Sequence, residues 1–204
     1  MKERPIIFSG EMVRAILEGR KTQTRRVVKY NYDVVGDDCG FPDYGFVDSR
    51  HREIVDILSR CPYGNPGDSL WVRETWSDYW MNEDVLDPRL RTIHYRSTWD
   101  KSLADDPLWK PSIFMPRWAS RILLEVVSVR VERLHDITDN SSIAEGVAWD
   151  NACPEEVSSG WCPGAYDTPR DAFSALWDSI NAKRGYGWET NPWVWVVLFK
   201  VIDK

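Results

Sequence analysis

Six basic residues crowd one short stretch of the chain: Arg14, Arg20, Lys21, Arg25, Arg26 and Lys29, against the single acid Glu18. That local charge of +5 leaves −11 for the rest of a chain whose formal net charge is −6. Duplex binding needs many phosphate contacts, so an acidic chain with one basic segment suits a short strand or a single nucleotide better. The same charges would also serve as a solvated strand edge that discourages pairing with other chains. In a regular strand Arg26 shares a face with Thr24, where its guanidinium is placed to hold a phosphate or an oxyanion. Arg73 and Glu74 flank a second strand, either as a surface ion pair or with one of them in a pocket. Trp71 and Trp76 are placed to stack a base, and would fill a core equally well.

The metal-ligating residue types form no such pattern. Cys39, Cys61, Cys153 and Cys162 contain no C-x-x-C pair, and His51, His94 and His135 fall at no zinc-ligand spacing, so no metal or other cofactor is expected. Met1 to Arg4 leads into the short apolar stretch Ile6 to Phe8 without the long apolar run of a secretion signal. The longest apolar run, Trp193 to Phe199, is seven residues, far below the roughly 20 of a membrane span. A soluble, cytoplasmic protein with reduced cysteines is expected, with no membrane partner.

The elements that must position these residues are legible from caps, turns and periodicity. Pro5 to Phe8 reads as a strand, and Ser9 caps a helix whose Met12, Ala15 and Ile16 share a face before Gly19 ends it. Lys21 to Val28 is rich in β-branched residues and reads as a strand. The Pro66-Gly67-Asp68 turn launches Ser69 to Trp76, in which Leu70, Val72 and Glu74 alternate with Trp71, Arg73 and Thr75. Arg121 to Leu134 is one long bent strand or two. Thr138 caps a short helix reaching Glu145 and ended by Gly146, and Thr168-Pro169 opens a helix with Phe173, Leu176, Trp177 and Ile180 on one face. The unbroken apolar run of Trp193 to Ile202 predicts a strand covered on both faces. Trp177, Trp193 and Trp195 read as core, and Met115-Pro116-Arg117-Trp118 as a binding rim. Stretches at about 29–62, 77–111 and 149–167 break the pattern and read as insertions, the first with one strand of its own. Strands of mixed length with three short helices and no βαβ alternation predict an α+β domain over 1–204, a small mixed β-barrel with helices at its ends.

Three segments resemble the ASCH domain, a member of the PUA-like superfamily of RNA-associated β-barrels. They are Ile16-Leu17-Glu18-Gly19-Arg20-Lys21-Thr22-Gln23-Thr24-Arg25-Arg26, the Pro-Gly-Asp turn entering Leu70-Trp71-Val72-Arg73, and Ile143-Ala144-Glu145-Gly146. The Trp-rich, enlarged form is similar to ASCH proteins carried by phages and prophages. The resemblance implies a PUA-like barrel and a pocket for a nucleoside or single-stranded RNA. Bacterial N(4)-acetylcytidine amidohydrolases of this superfamily use a Lys, a Thr three residues later and a distant Glu, a set that falls on Lys21, Thr24 and Glu145. It implies a hydrolase of acylated nucleosides with those three as catalytic residues, and Arg20, Arg26, Arg73, Glu74, Trp71 and Trp76 around the ligand. Relatives that bind RNA without chemistry or cleave it leave an RNA-binding module and a ribonuclease as alternatives. The acidic remainder and Trp-rich insertions would also suit a phage assembly or host-interaction protein.

The chemistry makes demands on each residue. A threonine hydroxyl needs a base, and Lys21 serves as one only as a neutral amine, which burial and neighbouring cations would favour. Residues 21 and 24 of a regular strand face opposite sides, so Lys21 must sit in the turn after Gly19 or reach around. Otherwise Lys21 is simply a cation near a helix C-terminus. Glu145, in the last turn of its helix, suits proton donation to a leaving amine if partly buried, and is otherwise a solvent-facing glutamate.

Overall fold

The apolar run at the C-terminal end forms β10 (Trp193–Ile202), the most enclosed strand of a five-stranded sheet. The computed structural model describes residues 1–29, 61–78, 92–100, 107–147 and 166–202, together with the backbone of three short strands between 32 and 55. Along β10 the side chains alternate between two cores, as the two-residue period of a strand requires. Trp195, Val197 and Phe199 join Ile6, Leu70, Val72 and Leu124 in one. Val194 and Val196 join Leu134, Phe173 and Trp177 in the other.

The sheet runs β1 (Glu3–Ile7), β6 (Ser69–Arg73), β9 (Leu123–Arg133), β10, β2 (Gln23–Val27). β1 pairs parallel to β6, and every other pairing is antiparallel. β9 is a single strand, and its register with β10 shifts at Leu198/Phe199. The domain is α+β with a mainly sheet core and few helices. Among the described residues β1 and β2 remain edges, and no ladder closes them into a barrel. A side chain bridges them instead, where Arg26 Nη2 donates to the Ile7 carbonyl at 2.8 Å. Within the first expected insertion lie three strands rather than one: β3 (Tyr32–Val35), β4 (Gly45–Asp48) and β5 (Ile54–Val55) form a small antiparallel sheet. β7 (Trp76–Ser77) and β8 (His94–Tyr95) form a two-stranded ribbon, so the strand expected to run to Trp76 stops at Arg73. Much of the rest of the three insertions, with Trp80, Cys39, His51, Cys153 and Cys162, lies outside the described residues.

Helix α1 (Gly10–Leu17) starts where the Ser9 hydroxyl accepts from the Met12 N–H, and it buries Val13, Ala15 and Ile16. Met12, expected on that face, is only half-buried. Helix α2 (Asp139–Ala144) is capped by Thr138 and α3 (Pro169–Asn181) by Thr168, each accepting from the backbone N–H three residues on. Phe173 and Trp177 of α3 are buried against the sheet, while Ile180 on the same face is 40% exposed. That uncovered end of an apolar face is part of what shapes the site.

Candidate functional site

The short path from α1 to β2 decides where the chemistry lies. Gly19 turns the chain with φ +74°, after which the Arg20 and Lys21 N–H groups both donate to Ala15 O. The strand does not begin until Gln23, and Lys21 instead forms an isolated antiparallel bridge with Glu145 at the C-terminal end of α2. Thr22 N donates to Ala144 O at 2.9 Å, and Gln23 Nε2 to Ser141 O at 2.7 Å, fastening the start of β2 along α2. Gly146 permits this approach. Its φ is +80°, and a Cβ there would stand 2.8 Å from Lys21 Cβ and 2.9 Å from Ala15 Cβ.

This seam buries a chain of alternating charges. Lys21 Nζ donates to the Glu145 carbonyl at 2.7 Å and to Glu145 Oε2 at 2.9 Å. Arg25 Nη1 donates to Glu145 Oε1 at 3.1 Å, and Arg25 Nε reaches Glu132 Oε1 at 3.2 Å. Arg130 Nε closes the series on Glu132 Oε2 at 2.8 Å. Lys21, Thr24, Arg25 and Glu145 are each 3% exposed or less. Burial holds the Lys21 ammonium below the usual lysine range; Glu145 pulls the other way, and Arg26 and Arg25 reinforce the lowering. The Lys21 ammonium also lies 5.6 Å from the centre of the Phe8 ring.

A cavity of about 450 Å³ opens beside this seam, within the size range of small-molecule sites. Thr24, Arg25, Arg26 and Val27 all line it. Consecutive strand residues face opposite sides, so a cavity touching all four wraps the free edge of β2. Lys21 and Glu145 form its floor, and Phe8, Tyr63, Phe173 and Trp177 supply aromatic walls. Burial raises the Tyr63 hydroxyl above its usual range. Among the described residues no group of three His, Cys, Asp or Glu could hold a metal, and no helix is long and apolar enough to cross a membrane.

The chain matches no family model, no curated protein and no solved structure. The geometry therefore stands by itself.

Of the residues expected around a ligand, Lys21, Thr24, Glu145 and Arg26 meet in the cavity. Arg20 lies outside it, paired with Glu18 and donating to Gly146 O at 3.3 Å, beside a second cavity of about 460 Å³. The other four lie elsewhere. Arg73 extends over the Trp71 ring and donates to Met115 O at 3.1 Å, a tie between β6 and the segment after β8. Glu74 pairs with neither Arg73 nor solvent: just past the end of β6 it is 1% exposed and bound by Arg121 at 2.9 Å. Trp76 is buried with Met115 and Ala119, so Met115 of the expected rim is core. Trp177 and Trp195 are core as expected, and Trp193 is partly buried under the Arg133 guanidinium. Sequence reasoning passed over Arg25 as a holder of Glu145, although its place between Thr24 and Arg26 in the basic segment was a signal. Glu132, distant along the chain, gave none.

Proposed function

We propose that this cavity binds a nucleoside or a nucleotide of single-stranded RNA and hydrolyses an acylated exocyclic amide such as that of N(4)-acetylcytidine. The observation that carries the reading is the meeting of Lys21, Thr24 and Glu145, the first and last 124 positions apart, in one basic, aromatic-walled cavity. A PUA-like ASCH barrel, here with its edges bridged by Arg26, is the architecture that goes with it.

Burial supplies the chemical logic. Two buried ions are costly, and moving one proton along the 2.9 Å hydrogen bond from Lys21 Nζ to Glu145 Oε2 yields a neutral amine and a carboxylic acid. Those are the base and the acid that amide hydrolysis requires. The Lys21 amine takes the Thr24 hydroxyl proton as Oγ1 attacks the acyl carbon, and the carbonyl oxygen becomes an oxyanion. The C–N bond then breaks as Glu145 gives its proton to the leaving amine, freeing cytidine and leaving an ester on Thr24. Water, deprotonated by the re-formed carboxylate of Glu145, hydrolyses that ester, and Lys21 returns its proton to Thr24 Oγ1. The products are cytidine and acetic acid, and both side chains return to their starting protonation. Incubating the chain with N(4)-acetylcytidine and weighing the products tests this, with cytidine release from wild type and none from Lys21→Ala as the expected result.

One observation favours a second reading, a binding module without chemistry. Both Glu145 carboxylate oxygens accept from cations, and its carbonyl accepts from Lys21, so Lys21, Arg25 and Glu145 also act as a clamp between β2 and α2. Ligand binding by the folded chain without turnover would establish that reading.

A further inference from the structure

The cations of the cavity divide into two sets. Lys21 and Arg25, on the floor, are buried and spend their charge on Glu145 and Glu132. Arg26 is partly exposed, donating to the Ile7 carbonyl and lying 5.2 Å from the centre of the Phe8 ring, while the lining residues Lys29 and Arg184 are exposed. Neither Lys29 nor Arg184 has a carboxylate partner among the described residues, and Glu145 is the one acid among the cavity's lining residues. Among the described residues, the cavity's cations without a carboxylate partner thus gather at the entrance, in a chain whose net charge is −6. A neutral nucleoside has no use for cations that lack a carboxylate partner among the described residues, whereas a phosphate accepts hydrogen bonds from such groups.

Building on the nucleoside reading of the cavity, we infer that Arg26, Lys29 and Arg184 form a phosphate subsite at its mouth. The ligand is therefore a phosphorylated nucleoside, with its ring in the aromatic-walled cavity and its phosphate at the rim. A mononucleotide and an RNA strand share that chemistry and differ in whether the phosphate is a monoester or a diester.

The test is calorimetric titration of the full chain with cytidine, cytidine 5′-monophosphate and the trinucleotide CpCpC, at low and at moderate salt. The monophosphate is expected to bind about tenfold or more tighter than cytidine, an advantage that shrinks as salt screens the exposed cations. In the Lys29→Ala/Arg184→Ala variant the ratio of the two affinities should fall to about one; both side chains are exposed, and a ratio is insensitive to partial loss of folded protein. Tighter binding of CpCpC than of the monophosphate assigns the phosphate to a strand, and the reverse assigns it to a mononucleotide; either supports the subsite. Equal affinities for cytidine and its monophosphate overturn the subsite and leave the nucleoside reading standing. A phosphate preference that survives in the double variant overturns the assignment to these residues. No binding by any of the three overturns the subsite together with the reading beneath it.

Discussion

Lys21 and Glu145 are joined twice, once through the carboxylate at 2.9 Å and once through the Glu145 backbone carbonyl at 2.7 Å. The second bond matters as much as the first. It satisfies a carbonyl at the open end of α2 and fixes the lysine stem whatever the carboxylate does. Lys21 is therefore held in place independently of its charge, as a base that cycles through its neutral form must be.

Removing the acid should cost more than removing the base. Glu145→Ala strands the buried Lys21 and leaves Arg25 with Glu132 alone, and should destabilise the protein by about 3–5 kcal/mol. Lys21→Ala leaves Glu145 paired with Arg25 and should cost less. Denaturant unfolding of both variants checks the order, and a larger loss in Lys21→Ala would contradict it.

The depressed Lys21 ammonium sets a sign for the pH dependence. Between its lowered folded-state value and the ordinary 10.5, the unfolded chain binds more protons than the folded one, so stability rises with pH in that window. The slope for one group is at most about 1.4 kcal/mol per pH unit. Relative to Lys21→Met, wild type should gain stability as pH climbs toward 10.5. A relative loss over the same window would mean that attraction to Glu145 outweighs burial.

Two glycines separate conformational strain from crowding. Gly19 has φ +74° and open space around it, so Gly19→Ala should cost only about 1–2 kcal/mol of left-handed strain. Gly146→Ala adds a Cβ within 2.9 Å of both Lys21 and Ala15, so it should cost more and should also weaken ligand binding. Thermal unfolding of the two variants makes the comparison, and equal shifts would mean that the Lys21 seam yields easily.

Arg25→Lys tests the alternating charges. The forked guanidinium grips Glu145 and Glu132 together, which a single ammonium cannot reproduce. We expect a loss of about 1–3 kcal/mol in stability, and a fall in turnover on N(4)-acetylcytidine with its KM little changed. Full activity in this variant would show that Glu145 needs no second cation.

What was legible in the sequence was local. Ser9, Thr138 and Thr168 start their helices because a side-chain oxygen beside a free N–H is a contact within three residues. The extent of β10 followed from its apolar run for the same reason. Partners across the sheet were not legible. That Glu74 meets Arg121 rather than Arg73, and that Arg25 meets Glu132, depends on which strands lie side by side. Trp71 and Trp76 show the same limit: a ring on a strand is half-buried, and nothing in the chain says against what. Lys21 lay between these cases: the sequence read it at the start of a strand and left a place in the turn after Gly19 open, and its bridge to Glu145 came only with the fold.

The central claim is that the buried Lys21–Glu145 pair performs chemistry on a ligand that Thr24 attacks. Mass analysis of N(4)-acetylcytidine incubated with the folded chain tests it most directly, run beside Glu145→Gln, which keeps the shape of the side chain but delivers no proton. Circular dichroism at the assay temperature establishes that both proteins are folded. Cytidine should appear with wild type, and the rate should fall about 100-fold or more in the variant, while affinity for the ligand changes by less than about tenfold. No cytidine from a wild-type protein that binds the ligand would contradict the claim and leave the cavity as a binding site alone.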